Sequence, residues 1–142
     1  MKATKSISEE LLTYLKANFD GIFNNAVESL KYRSAVTTEC GSEKRNYAFV
    51  GVGCGITYLV YRKNNKKCIE IEDAARKYRH NEILKMFLLK FTKEEIEYYS
   101  KIGCPLEAIW SQDQGMQISY YDAIVDFCET KGLKVTYRSF LD

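Results

Sequence analysis

Read as a pattern of apolar and polar positions, the chain opens in helix. In "SISEELLTYLKANFDGIFNNAVESL", Leu11, Leu15, Phe19, Ile22, Ala26 and Leu30 recur at helical spacing and share one face. Ser6 and Glu9 have the spacing of a capping box. Asp20-Gly21 interrupts the run without shifting its phase, which favours one helix over 6–31 rather than two with a bend. From Tyr32 the pattern turns to strand. "YRSAVTTE" and "NYAFVGV" flank the loop "CGSEKR", and "ITYLVYRK" and "KKCIEI" flank Asn64-Asn65, residues suited to a tight turn. These runs predict an antiparallel β-meander over 32–71.

Helical period returns in "EIEDAARKYRHNEILKMFLLKF", with a phase shift near His80-Asn81. Its second half is apolar on nearly every side (Ile83, Leu84, Met86, Phe87, Leu88, Leu89), as a central buried helix would be. "TKEEIEYYSKIG" starts on a second capping box, Thr92 and Glu95, and stops at Gly103. "CPLEAIW" reads as a short turn of helix and "SQDQG" as loop. "SYYDAIVDFCETKG" is a helix capped by Ser119 and closed by Gly132. "LKVTYRS" alternates Leu133, Val135 and Tyr137 against Lys134, Thr136 and Arg138, a half-buried strand over 133–139. The expected architecture is one α+β domain, 1–142. An N-terminal helix and a helical part at 72–132 pack a small antiparallel sheet of roughly three to five strands.

The uncharged run 47–61 carries glycine at 51, 53 and 55. It is too short and too glycine-rich for a membrane helix. A phosphate loop needs a helix behind its glycines, and here a strand follows. In a continuous strand Val50, Val52, Cys54, Ile56, Tyr58 and Val60 form an apolar face, while the glycines leave a bare floor between aromatics. Such a floor admits a helix, a ligand or a second backbone; alternatively, the same glycines turn a hairpin or form a bulge.

Composition narrows the classes. A 142-residue chain with 46% hydrophobic residues fits one domain with a real core. Eleven tyrosines and seven phenylalanines against one tryptophan supply amphipathic contact area. Residues 31–80 hold eleven Lys/Arg against five Asp/Glu, and residues 91–142 hold five against nine. The two halves complement each other more readily than they mark a nucleic-acid surface. Five cysteines without CxxC pairing, and an N-terminus lacking the apolar core of a signal peptide, predict a reduced, cytoplasmic setting with buried thiols.

Candidate chemistry is sparse. Cys54 as a nucleophile has His80, the only histidine, as its base, and no helix N-terminus behind it. His80-Asn81-Glu82 has the HxE spacing of zinc deaminases, but Cys104-Pro105 does not supply their second ligand pair. No metal and no cofactor are expected. Asp122, Asp126 and Glu129 read as a solvated helix face. The basic cluster Arg62, Lys63, Lys66, Lys67, Arg76, Lys77 and Arg79, with Tyr58 and Tyr61 for stacking, is the candidate partner surface. Its alternative is a solvated turn paired with Glu70, Glu72 and Asp73. Two short stretches resemble known families. Strands followed by "EDAARKY" are similar to plant and phage AP2-type DNA-binding domains, though Gly, Val and Cys stand where those domains carry arginine and tryptophan. "ISYYDAIVDFCETKGL" resembles one helix of tailed-phage late-transcription coactivators, which bind RNA polymerase.

The functional expectation is a small non-enzymatic intracellular binding protein working through protein–protein contacts. Its style suits a phage- or mobile-element-encoded modulator or inhibitor of a host complex. Nucleic-acid binding through 62–79 is the alternative, and an enzyme using Cys54 or His80 the remote one. No membrane partner is expected.

Overall fold

The computed structural model describes residues 5–44 and 54–141, with 36–44 as backbone alone. The elements are α1 (Ile7–Ala17), α2 (Phe19–Lys44), β1 (Gly55–Val60), α3 (Lys66–Tyr78), a π-helical turn (Arg79–Ile83), α4 (Leu84–Leu89), α5 (Lys93–Lys101), α6 (Leu106–Gln112), α7 (Gln114–Thr130) and β2 (Thr136–Leu141). Among the described residues the fold is a mostly helical α+β arrangement with one two-stranded antiparallel sheet.

The predicted N-terminal face is buried throughout: Leu11, Leu15, Phe19, Ile22, Ala26 and Leu30 all lie in the core. Ser6 caps α1 by accepting the Glu9 N–H at 3.2 Å. The break falls at Asn18 rather than at Gly21. Asn18 leaves the helical region and its side-chain amide donates to the Tyr14 carbonyl at 2.8 Å, closing α1 before α2 starts.

The meander is the main correction. "YRSAVTTE" is not a strand: α2 runs through it to Lys44. Strand propensity yields because Ser29 and Arg33, one turn apart, both reach Asp113 on the far side of the core. "KKCIEI" is likewise helix. Asn65 accepts the Cys68 N–H at 3.1 Å as N-cap, and Cys68, Ile71 and Ala75 bury a face at helical period. Asn64-Asn65 therefore end a turn that leads into α3, not into a returning strand. "NYAFVGV", Gly51 and Gly53 lie outside the described residues.

The sheet joins distant segments. β1 pairs with β2 in the register Gly55↔Leu141 to Val60↔Thr136. The predicted last strand thus exists, starts later than 133, and keeps its alternation, with Val135 buried and Lys134, Thr136 and Arg138 exposed. The faces of β1 invert the expectation. Leu59 is buried while Ile56 is exposed, so the glycine parity packs inward and the Ile56–Tyr58–Val60 parity faces outward. Gly55 explains why. A Cβ there would stand 2.7 Å from the Gln114 Cβ, so only glycine lets α7 seat against the strand.

Two further boundaries differ from the sequence reading. "SQDQG" is helix on both sides of Asp113, which caps α7 by accepting the Met116 N–H at 3.1 Å. Ser119, expected as that cap, is buried mid-helix and donates to the Met116 carbonyl at 2.7 Å. Gly103 and Gly132 do close α5 and α7, each with positive φ. Thr92 and Glu95 form the expected capping box.

Candidate functional site

The phase shift foreseen near His80-Asn81 is the π turn, and it decides where the predicted basic residues go. Arg79 points inward and is 8% exposed. Its Nη2 donates to the carbonyls of Trp110 (2.7 Å) and Ser111 (2.8 Å), while the Trp110 indole N–H returns to the Arg79 carbonyl at 2.9 Å. The guanidinium thereby closes the C-terminal end of α6, where the helix dipole favours a cation. Its Nε has no hydrogen-bond partner among the described residues, and no ion pair there includes it. Burial lowers the Arg79 pKa.

Arg79 lines a cleft of about 440 Å³ with Arg76 and His80 beside it. β1 supplies Gly55, Ile56, Thr57 and Tyr58; α6 and α7 supply Ser111, Gln117 and Tyr121. Gln117 is saturated. Its amide donates to the Gly55 carbonyl at 2.7 Å and its carbonyl accepts the Thr57 hydroxyl at 2.6 Å. Arg76 pairs with buried Glu72 at 3.3 Å, and Glu72 also accepts the Leu59 N–H at 3.2 Å. The His80 pKa is lowered, first by burial and then by the Arg79 charge. Arg79 thus brings to the cleft a charge that no ion pair among the described residues includes.

Of the predicted partner residues, the structure brings Tyr58, Arg76 and Arg79 together here. It does not bring the others. Arg62, Lys63, Lys66 and Lys67 are exposed in the turn and first turn of α3 and form no ion pair among the described residues. Two of the three carboxylates expected to pair with them are otherwise engaged: Glu70 accepts from the Ser8 hydroxyl at 3.1 Å, and Glu72 holds Arg76. Lys77 lines a separate small cavity with Ser8, Glu70 and Asp73. Tyr61 is half-buried against the core. Cys54 is half-buried with its Sγ donating to the side-chain Oε1 of Gln112 at 3.6 Å, and it does not line the cleft that holds His80. Cys68, Cys104 and Cys128 are buried, and Asp122, Asp126 and Glu129 are exposed, as expected. Among the described residues no group of His, Cys, Asp or Glu has the form of a metal site, and no helix is long and apolar enough to cross a membrane.

A second feature escaped the sequence reading. The segment expected to be buried on all sides is not: Ile83 and Phe87 are fully buried, but Leu89 is 84% exposed. Leu88, Leu89, Phe91 and Ile96 line an open apolar groove of about 770 Å³ between α4 and α5, rimmed by Lys85, Lys93 and Glu97. Phe91 anchors its floor, with its ring centroid 5.1 Å from Phe87 and 5.7 Å from Phe23. Helix α5 buries no residue fully. The signal was the absence of a polar stripe in 83–89, which marks a second apolar face as readily as a central helix. The tyrosines, by contrast, mostly serve packing. Tyr120 and Tyr121 are buried, and Tyr32 and Tyr98 are the strongly exposed ones among the described residues. No family model, curated protein or solved structure matches the chain.

Proposed function

We propose that the protein is a non-enzymatic binding protein that acts by holding an amphipathic helix of another protein in the α4–α5 groove. One observation carries this reading: Leu89 stands 84% exposed beside Leu88, Phe91 and Ile96 in a continuous apolar groove. Water against that surface is costly at about 25 cal/mol per Å², and a partner's apolar face relieves it. The helix α5 supports the same reading. Nine residues with no fully buried side chain make a marginal helix, and a covering partner would stabilise it. The charges at the rim support an acidic occupant. Lys85 and Lys93 against a single Glu97 favour a helix whose apolar stripe is flanked by acidic residues. A modulator or inhibitor of a host complex, phage- or mobile-element-encoded, is the biological role that suits such a module.

The test compares the native chain with Leu89→Glu in capture from the host. A partner that binds the native chain in fixed proportion, binds again through a synthetic helix taken from it, and is lost with Leu89→Glu supports the reading. A Leu89→Glu chain that folds and captures equally well overturns it. The second reading, nucleic-acid binding, rests on Arg62, Lys63, Lys66 and Lys67, which are exposed and form no ion pair among the described residues. It requires affinity for DNA or RNA that falls steeply with salt and is removed by reversing charge at Lys66 and Lys67.

A further inference from the structure

The cleft between β1 and the π turn joins an apolar sheet face, and the two together form a site distinct from the groove. The cationic side chains of the cleft come from α3 and the π turn, and its amide and hydroxyl groups from β1, α6 and α7. The Gln117 amide donates to the main-chain carbonyls of Gly55 and Ser111, and its own carbonyl accepts the Thr57 hydroxyl. The lining also holds two arginines and a histidine. Arg79 lines the cleft with a buried charge that no carboxylate among the described residues balances. Arg76 is exposed beyond its contact with Glu72, and His80 is exposed beside it. The inward edge of β1 adds the Thr57 N–H, which shares the side that sends Leu59 N–H to Glu72. Arg76, Arg79 and the Thr57 N–H together suit a ligand group that only accepts, and a phosphate is one.

The rim of the cleft is aromatic. Register places Ile56 opposite Phe140 and Tyr58 opposite Arg138, so all four side chains share the outward face. Phe140 is 51% exposed, Ile56 is exposed, and the Tyr58 and Phe140 rings lie 6.3 Å apart at 33°. Ile56 and Tyr58 also line the cleft itself. A planar group carried by the phosphate would lie on this face, with the Arg138 guanidinium beside it.

The geometry points to a nucleotide-binding site: phosphate at Arg76, Arg79 and His80, base on Tyr58 and Phe140. A cleft of about 440 Å³ has room for a phosphate and the sugar behind it. Two sources share this chemistry, a free nucleotide and the 5′-phosphate end of a single strand.

Calorimetric titration of the full chain with adenosine 5′-monophosphate, adenosine and inorganic phosphate tests the site. Binding of the nucleotide should exceed that of either fragment. Arg76→Gln and His80→Gln should each weaken it by about tenfold or more, and Phe140→Ala by about fivefold. Arg79 is left intact because it ties α6 in place; melting curves confirm that the variants fold. No nucleotide binding up to about 10 mM, or binding indifferent to Arg76→Gln and His80→Gln together, overturns the site. Inorganic phosphate binding as tightly as the nucleotide overturns the base platform. A 5′-phosphorylated oligothymidine that binds more tightly than the nucleotide, and more tightly than its 5′-hydroxyl form, assigns the source to a strand end. Equal or weaker binding of the oligonucleotide assigns it to the free nucleotide.

Discussion

The Arg33 guanidinium donates to the Asp113 carboxylate at 2.8 Å across eighty residues of sequence. Asp113 is 1% exposed and does three things at once. It takes the Arg33 charge, accepts the Ser29 hydroxyl at 2.6 Å, and caps α7 through the Met116 N–H at 3.1 Å. Helix α2 is thus bolted to the α6–α7 junction by one side chain.

Removing that carboxylate leaves a guanidinium poorly matched and a helix uncapped. Asp113→Ala should destabilise the fold by about 3–5 kcal/mol, the range for breaking a buried ion pair from one side. Asp113→Asn keeps the cap oxygen and should cost less. Urea denaturation of both variants with Arg33→Met and the two double variants gives the coupling energy. Additive effects would show that the pair carries no interaction of its own.

Gly115 sits against the same junction. A Cβ there would lie 2.1 Å from the Ser29 Oγ and 2.8 Å from the Ser29 Cβ, so Gly115→Ala should destabilise by about 1–3 kcal/mol. Gly21, in the first turn of α2, meets nothing within 4 Å. Gly21→Ala should therefore be neutral or stabilise by about 0.5 kcal/mol through helix propensity. Melting temperatures that move the same way for both would refute the packing argument.

Alkaline pH should unfold the protein through its buried acids. Burial pushes the Cys128 thiol up to about 12 from an ordinary 9.0, with Cys68 adding to it. The Tyr120 phenol is raised well above its ordinary value, by burial first and then by Tyr121. Both pKa values are higher folded than unfolded. Their stabilising contribution is therefore complete below the unfolded values and is lost as pH climbs through the folded ones. The melting temperature should start to fall near pH 9, about the unfolded thiol value, and fall more steeply above about pH 10 as tyrosine joins. Cys128→Ala should flatten the first part of that decline and leave the second.

How much of this was readable beforehand follows from which signals were local. The face Leu11–Leu30, the Thr92 capping box, the stops at Gly103 and Gly132 and the alternation around Val135 depend on spacing and caps, and the structure keeps them. The meander depended on β-branched and alternating runs near 32–44 and 66–71. There, tertiary anchors outvoted propensity: Arg33 on Asp113 in one case, Cys68 and Ile71 in the core in the other. Asp113 itself read as loop because nothing in "SQDQG" shows that its partner lies on α2. Three predicted site residues converge on the cleft; His80, the neighbour of Arg79 in sequence, joins them, whereas Lys66 and Lys67 do not. Leu89 was misread because an apolar segment shows how much surface wants burial, not whether the chain itself supplies the cover.

The central claim is that the α4–α5 groove holds a helix from another protein, and position 89 reports on it most directly. A photo-crosslinking residue placed at 89 in the full chain, irradiated in the native host, should join one protein at a mapped helical segment. The same residue at exposed Lys134, away from the groove, should not, and Ile96→Glu should abolish the adduct at 89. Crosslinks from 89 only to a second copy of the chain, or equal labelling from 89 and 134, would contradict the account.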